Sequence, residues 1–305
     1  MRPGSEPSPK EPPSSGGEHG AIARWTRAPL SDVDVGPGDD CAWLGSLAVS
    51  VDTVVEGVHF RFDWSSPEDV GWKALAAALS DLAASRARPR GALISLTVPS
   101  DALVAGGTAD ALMAGVHACA ATFSCPVIGG DVVASDGPVQ LAVTVMGEGL
   151  GSPLLRRGAR PGDVVCCSGI TGWAGFAVQE LLEGSEPPPR ALAAHRRPRP
   201  RLDLLDDLVT ATAAIDISDG LLADAAWIAR ASGVTLTLDR DACVADAPDP
   251  TIALSGGEDY ELLATFPSPP PDWRVLGAVE AGPPRLLWTD GSPVPASGRG
   301  WEHGT

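Results

Sequence analysis

The sequence predicts an α/β protein built as two layered α/β domains. Three observations carry this. Strand-like apolar runs alternate with helical patterns through both halves. The stretch "GLGSPLLRRGARPGD" (149–163) breaks that alternation once, near the middle. The chain has 305 residues, 44% of them hydrophobic, which is enough for two cores of ordinary size. The expected division is a tail over 1–20, an N-terminal domain over 21–149 and a C-terminal domain over 150–305.

The first twenty residues, "MRPGSEPSPKEPPSSGGEHG", lack aromatic and branched apolar residues and read as a disordered tail. No apolar segment follows Arg2, so they do not read as a signal peptide. "SLAVSVDTV" (46–54) reads as a strand. In "SSPEDVGWKALAAALSDLAAS" a helix is expected, with Ser66 as N-cap, Pro67 in the first turn, and Glu68 and Asp69 complementing the dipole. A strand over 91–99 and a helix over 101–123, weakened by Gly106 and Gly107, come next. "CPVIGG" and "VQLAVTVMGE" are further strands.

The second half restarts with the strand "DVVCCSG" and a helix over about 172–182. "EGSEPPPRALAAHRRPRPR" reads as a surface connection, followed by a helix. Then "AAIDISDGLLAD" (213–224) gives a strand running into a helix, "VTLTLD" another strand, and three short strands are expected near 259–266, 274–280 and 285–289.

The net charge of −17 repels a phosphate backbone and argues against nucleic-acid binding. No apolar run approaches the roughly 18 residues of a membrane span, so no membrane association is expected. The six cysteines form no C-x-x-C pair and read as small core residues in a reducing compartment. A soluble, cytoplasmic protein is expected.

Most of the 39 acidic residues read as solvated surface. Asp40, Asp52, Asp131 and Asp216 do not. Each ends an apolar strand or sits beside glycine, where open α/β sheets bind ligands. Asp81 lies on a helix. At about 100° per residue it falls close to the inward arc of Ala74, Leu75, Leu79 and Leu82, with Lys73 and Ser80 outside that arc. A buried carboxylate needs a cation, and the basic residues cluster elsewhere, at 156–160 and 196–201. Converging carboxylates without a His/Cys set suit a hard divalent ion such as Mg²⁺, shared with substrate phosphates. The plain alternative is that each aspartate caps a helix or forms a turn. The sequence lacks a P-loop, a kinase-type H-R-D with D-F-G, and a nucleophile elbow.

At the motif level the chain resembles thiamine-monophosphate kinases, of the superfamily named for aminoimidazole ribonucleotide synthetase. "GPGDDCAWL", "SVDTVVEGVHF", "LSDLAAS", "IGGD", "RRGARPGD", "IDISDGLLAD" and "SGGEDYELLATF" occur in family order, and the resemblance extends to "GRGWEHG". It implies transfer of the ATP γ-phosphoryl to thiamine monophosphate, with several Mg²⁺ ions and no covalent nucleophile. It also implies a homodimer paired through the N-terminal sheets, and a mixed sheet in the C-terminal domain.

By the same resemblance, Asp40, Asp52, Asp81, Asp131, Asp216 and Asp219 are metal ligands, with oxygens of Ser50 and Val51 beside them. Gly130, Asp131, Arg156 and Ser218 lie by the nucleotide phosphates. His59, Glu258 and Trp301 contact thiamine monophosphate. Ser218 and Asp219 are expected to open a helix at its positive end, where phosphate is favoured. The chain departs from the family at Val51, which cannot supply a side-chain oxygen, and at Ala134, where many members carry arginine. Another superfamily activity, or a non-catalytic phosphate-binding protein, stands as the alternative.

Overall fold

The computed structural model describes residues 33–295, so the tail expected over 1–20 lies outside the described residues. A first sheet contains β1 (Ala42–Leu44), β2 (Leu47–Val55), β3 (Ala87–Val98), β4 (Val127–Ala134) and β5 (Gln140–Gly149) in the order β1-β2-β5-β3-β4. Only the β3–β4 pair is parallel. One face packs under α1 (Pro67–Ala84), which in turn packs on α2 (Thr108–Thr122). The alternation of side chains makes this possible: Ala48, Val54, Leu141, Val143 and Val145 point inward and are buried. The opposite face is open, with Val51 at 65% exposure and Leu93 also exposed.

The second sheet is also mixed. It contains β6 (Val164–Cys167), β7 (Ala213–Asp216), β8 (Thr235–Leu238), β9 (Leu262–Phe266), β10 (Arg274–Glu280) and β11 (Arg285–Trp288), in the order β11-β8-β10-β6-β9-β7. Five helices accompany it: α3 (Trp173–Leu182), α4 (Pro189–Arg196), α5 (Leu221–Ser232), α6 (Arg240–Val244) and α7 (Pro250–Ser255). The two-domain α/β expectation stands. All six cysteines are buried and unpaired. Among the described residues, no helix is long and apolar enough to cross a membrane.

Helix α1 is the spine of the molecule. Ser66 caps it by accepting from the Asp69 N–H at 3.2 Å, and Pro67 occupies the first turn. Its alanine-rich middle suits a helix intrinsically and lets neighbours approach closely. One side meets the first sheet and α2; another meets β7, α4 and the 3₁₀ turn Leu202–Leu204 of the second half. Lys73 and Ser80 are therefore buried, at 3% and 0% exposure, contrary to the helical-wheel reading. A wheel assigns one inward face, and this helix is covered by two bodies.

Other departures are local. The helix expected over 101–123 is a 3₁₀ turn, Ser100–Leu103, followed by α2, with Gly107 as the N-cap. The connection expected over 183–201 contains α4. Pro189 suits the first turn of a helix, and Ala191 and His195 are buried. The helix expected next is two 3₁₀ turns, Leu202–Leu204 and Asp207–Thr210. Helices α6 and α7 were not anticipated, although Asp239 and Asp249 cap them through backbone N–H bonds. Strand β9 begins at Leu262, because Glu258 and Tyr260 adopt left-handed backbone angles of φ 65° and 52°.

Helices α1 and α2 approach backbone to backbone. A Cβ on Gly71 would lie 1.9 Å from the Leu112 carbonyl oxygen, and one on Gly115 equally close to that of Glu68. Gly71→Ala is expected to destabilise the protein by about 1–3 kcal/mol through overpacking. The measurement is a lower urea midpoint at unchanged slope.

Candidate metal and phosphate site

Three carboxylates meet where the two halves join. Asp40 stands in the turn before β1, Asp81 in the last turn of α1, and Asp216 at the end of β7. One oxygen from each lies within 4.8 Å of the others. Asp81 is placed against the ordinary rule, because the C-terminal end of a helix is its negative pole and no basic residue stands in that turn. The Ser50 hydroxyl donates to Asp81 Oδ2.

The cost of this crowding shows in the proton affinities. Burial first, and then the charges of Asp216, Asp52 and Asp40, push Asp81 well above the usual carboxylate range. Burial and then Asp40 push Asp216 up to about 7. Asp40 is raised by burial as well, although Arg156 opposes the shift. Arg156, which the family resemblance sets by the nucleotide phosphates, is the cation beside the trio, although its place among the basic residues at 156–160 gave no sign of this. Its Nε and Nη2 both donate to Asp40 Oδ1, at 3.0 and 2.6 Å, and its backbone N–H donates to Asp39 at 2.6 Å. Burial works against its charge, but Asp40, then Asp216 and Asp81, outweigh that and raise its pKa. One guanidinium does not balance three carboxylates. The donor set and its crowding fit a divalent cation.

The remaining expected site residues are placed unequally. Asp52 shares the inward side of β2 with Ser50 and acts electrostatically on Asp81 and Asp216. Val51 points to the opposite, exposed face, away from the trio. Asp131 and Gly130 lie on exposed β4, Asp131 opposite Ser95, outside the trio. A Cβ on Gly130 would lie 1.9 Å from the Ile94 carbonyl oxygen, which explains glycine there. Ser218 and Asp219 precede α5, whose N-cap is Gly220. They stand at its positive end, as expected. Asp224 Oδ2, buried, accepts from the N–H groups of Asp219 and Gly220 at 3.2 and 3.1 Å.

A second cluster adjoins the first. The turn "GGEDY" folds over the residues after β7: the Glu258 N–H donates to the Ser218 carbonyl and the Tyr260 N–H to that of Ile217, both at 2.8 Å. A Cβ on Gly257 would lie 2.5 Å from the Ser218 carbonyl oxygen. Buried Tyr260 feels the charges of Glu258, Asp52, Asp216 and Asp81 and so lies between the clusters; burial and these charges keep it a neutral phenol. Lys73 Nζ donates to Glu258 Oε2 at 2.7 Å and to the His59 carbonyl at 3.0 Å. His195 Nδ1 stands 3.6 Å from the same Oε2. Burial pushes Glu258 up, but Lys73 and His195 outweigh it and hold the carboxyl at about 2. The His59 ring accepts from the Val55 N–H at 3.1 Å. Lys73 and His195 were missed. The signal was present, since a lysine amid "GWKALAAAL" has apolar neighbours on every side. Trp301 lies outside the described residues.

Models of AIR synthase related proteins match this chain over residues 38–149 (N-terminal domain) and 160–281 (C-terminal domain). The thiamine-monophosphate kinase of Mycobacterium tuberculosis is 38% identical over 287 residues, covering 87% of this chain and 85% of that protein. The chain belongs to the thiamine-monophosphate kinase family. A second member, from Bacillus subtilis, is 36% identical over 81% of both chains. Among solved family structures, AaThiL complexed with AMPPCP and TMP matches with a TM-score of 0.83 at 34% identity, covering 94% of this chain and 97% of that one.

The crowding of the trio gives a pH signature. Asp216 has a pKa of about 7 in the folded state, against about 4 for an unfolded aspartate. The folded state binds the proton more tightly, so this residue's stabilising contribution is complete below about pH 4 and lost as pH rises through about 7. With a chelator present, wild type is expected to lose stability relative to Asp216→Asn across that window. Parallel thermal melts of the two proteins measure it, and equal slopes would refute the crowding argument.

Proposed function

We propose that this protein transfers the γ-phosphoryl group of ATP to the phosphate of thiamine monophosphate, giving thiamine diphosphate and ADP. The observation that carries the reading is the convergence of Asp40, Asp81 and Asp216 beside the cluster of Glu258, Lys73 and the His59 turn. Both reactants are anionic at the reacting ends, so repulsion and alignment are the barriers to overcome. Asp40, Asp81 and Asp216, with Asp52 and Asp219 at the margin, would hold Mg²⁺. Such ions would supply positive charge that offsets the phosphate repulsion.

The protein's own groups do the rest. Arg156 is fixed by Asp40 and Asp39, with its cation beside the trio where phosphate oxygens would enter. Gly130 and Asp131, on the exposed edge strand β4, and Ser218 meet the nucleotide phosphates. Glu258, held ionised, accepts from the aminopyrimidine or faces the thiazolium cation, and His59 borders the same space. One oxygen of the acceptor phosphate bonds to the γ-phosphorus while the bond to the β,γ-bridging oxygen breaks, and ADP leaves with that electron pair.

We also infer a homodimer formed through the open face of the first sheet. Its support is the exposed apolar surface of Val51 and Leu93 there, continued by Val133 on β4. Six buried, unpaired cysteines support a cytoplasmic setting.

The test is purified protein with ATP, Mg²⁺ and thiamine monophosphate. Thiamine diphosphate is expected, one per ATP consumed. A folded protein that forms none refutes the reading. Asp81→Asn is expected to lower turnover roughly a hundredfold or more if the residue holds metal, and an unchanged rate removes Asp81 from the machinery.

A further inference from the structure

Lys73 has so far been described only as a neighbour of Glu258. It is 3% exposed, and lysines are almost never so buried without a specific partner. Its two acceptors belong to different halves of the molecule. The His59 carbonyl lies in the turn after β2, and Glu258 Oε2 lies in the turn before β9. His195, on α4, approaches the same oxygen. One ammonium on the central helix thus ties the Glu258 side chain to the backbone of the His59 turn, and with them the two halves that carry them.

We propose that Lys73 is a positioning residue for the thiamine monophosphate site: it sets the spacing between Glu258 and the His59 turn and cancels the Glu258 charge that would otherwise repel the substrate phosphate. This rests on the function proposed above. Two features separate it from a simple structural ion pair. Lys73 and His195 both approach Oε2, and the Glu258 side chain keeps 25% of its surface exposed, so a ligand engages Glu258 through Oε1. Glu258 also holds a left-handed backbone angle of φ 65°. A non-glycine residue keeps such an angle only where its surroundings over-determine it. The Ser218 carbonyl fixes its backbone at 2.8 Å, and Lys73 fixes its side chain.

The test compares wild type, K73M, K73R, E258Q and K73M/E258Q, each first shown to be folded by thermal melting. In K73M the KM and the Kd for thiamine monophosphate are expected to rise about tenfold or more, as when one partner of a buried pair is removed. KM for ATP should stay within about twofold, because the nucleotide side is untouched. K73R should recover part of the loss. Adding K73M to E258Q should do little further harm, since the lysine acts through the carboxylate. Equal rises in both KM values, additive effects, or an unchanged Kd for thiamine monophosphate would overturn the proposal. Should K73M not fold, K73Q keeps a donor for the His59 carbonyl without the charge, and the same split is required of it. A wild type that binds thiamine monophosphate but forms no product refutes the proposed reaction, while the binding comparison still decides the role of Lys73.

Discussion

A helix covered on every side must account for each polar group it carries. Helix α1 is such a helix, and the rest of the structure follows from how its polar residues are satisfied. Ser66 caps its start, Lys73 reaches into the second half of the chain, and Asp81 projects from its negative end toward two more aspartates. Its apolar residues glue the first sheet to α2 and to β7. Because the same helix belongs to both cores, the relative placement of the two halves and the geometry of both clusters are set together. Replacing its polar residues by apolar ones of similar size would relieve a desolvation cost. That Lys73 and Asp81 stand in the buried, alanine- and leucine-rich stretch of this helix points to what they hold.

The carboxylate trio is the counterpart of that constraint. Burial raises the proton affinity of Asp40, Asp81 and Asp216, and the neighbouring aspartates add to it at Asp81 and Asp216. Arg156 relieves Asp40 most directly, through two bonds to one oxygen. Asp224 adds a fourth buried carboxylate nearby, raised first by burial and then by Asp219 and Asp216, yet it is spent on backbone N–H groups of the segment entering α5. Asp224 thus ties down the segment after β7 through two backbone bonds. Two amides of the segment that enters this helix are already engaged in this way.

What was legible in the sequence was the strand-end rule. It marked Asp40, Asp52 and Asp216, but only Asp216 ends its strand: Asp40 precedes β1, and Asp52 lies within β2, which runs on to Val55. Asp81 was legible from its angle on the helix. Asp131 was marked by the same rule, but it lies within exposed β4 and not with the trio, because an apolar run gives no sign of which sheet edge its strand occupies. Lys73 was misread for the opposite reason. Its angle placed it away from the first core, and the wheel contains no information about a second one. The stretch at 183–201 hid α4 because its prolines and arginines outweighed the short apolar set of Ala191, Leu192 and His195. These failures share a cause: each residue answers to a neighbour more than a hundred residues away or to a second packing surface, and local pattern sees neither.

The turn "GGEDY" shows how such distant neighbours become one device. Gly257 lets the chain pass over the Ser218 carbonyl, where a side chain would collide. Glu258 and Tyr260 then take left-handed angles on either side of Asp259. That alternation sends Glu258 toward Lys73 and places Tyr260 between the substrate-side cluster and the carboxylates. Asp259 meanwhile accepts from the Gly172 N–H at 2.7 Å, at the start of α3. Three consecutive side chains therefore serve three different structures, and none can shift without moving the others. A regular strand through these residues would have sent Glu258 and Tyr260 to the same face. The strain in the turn is what allows one short segment to join the metal-binding carboxylates to the residues that would receive the substrate.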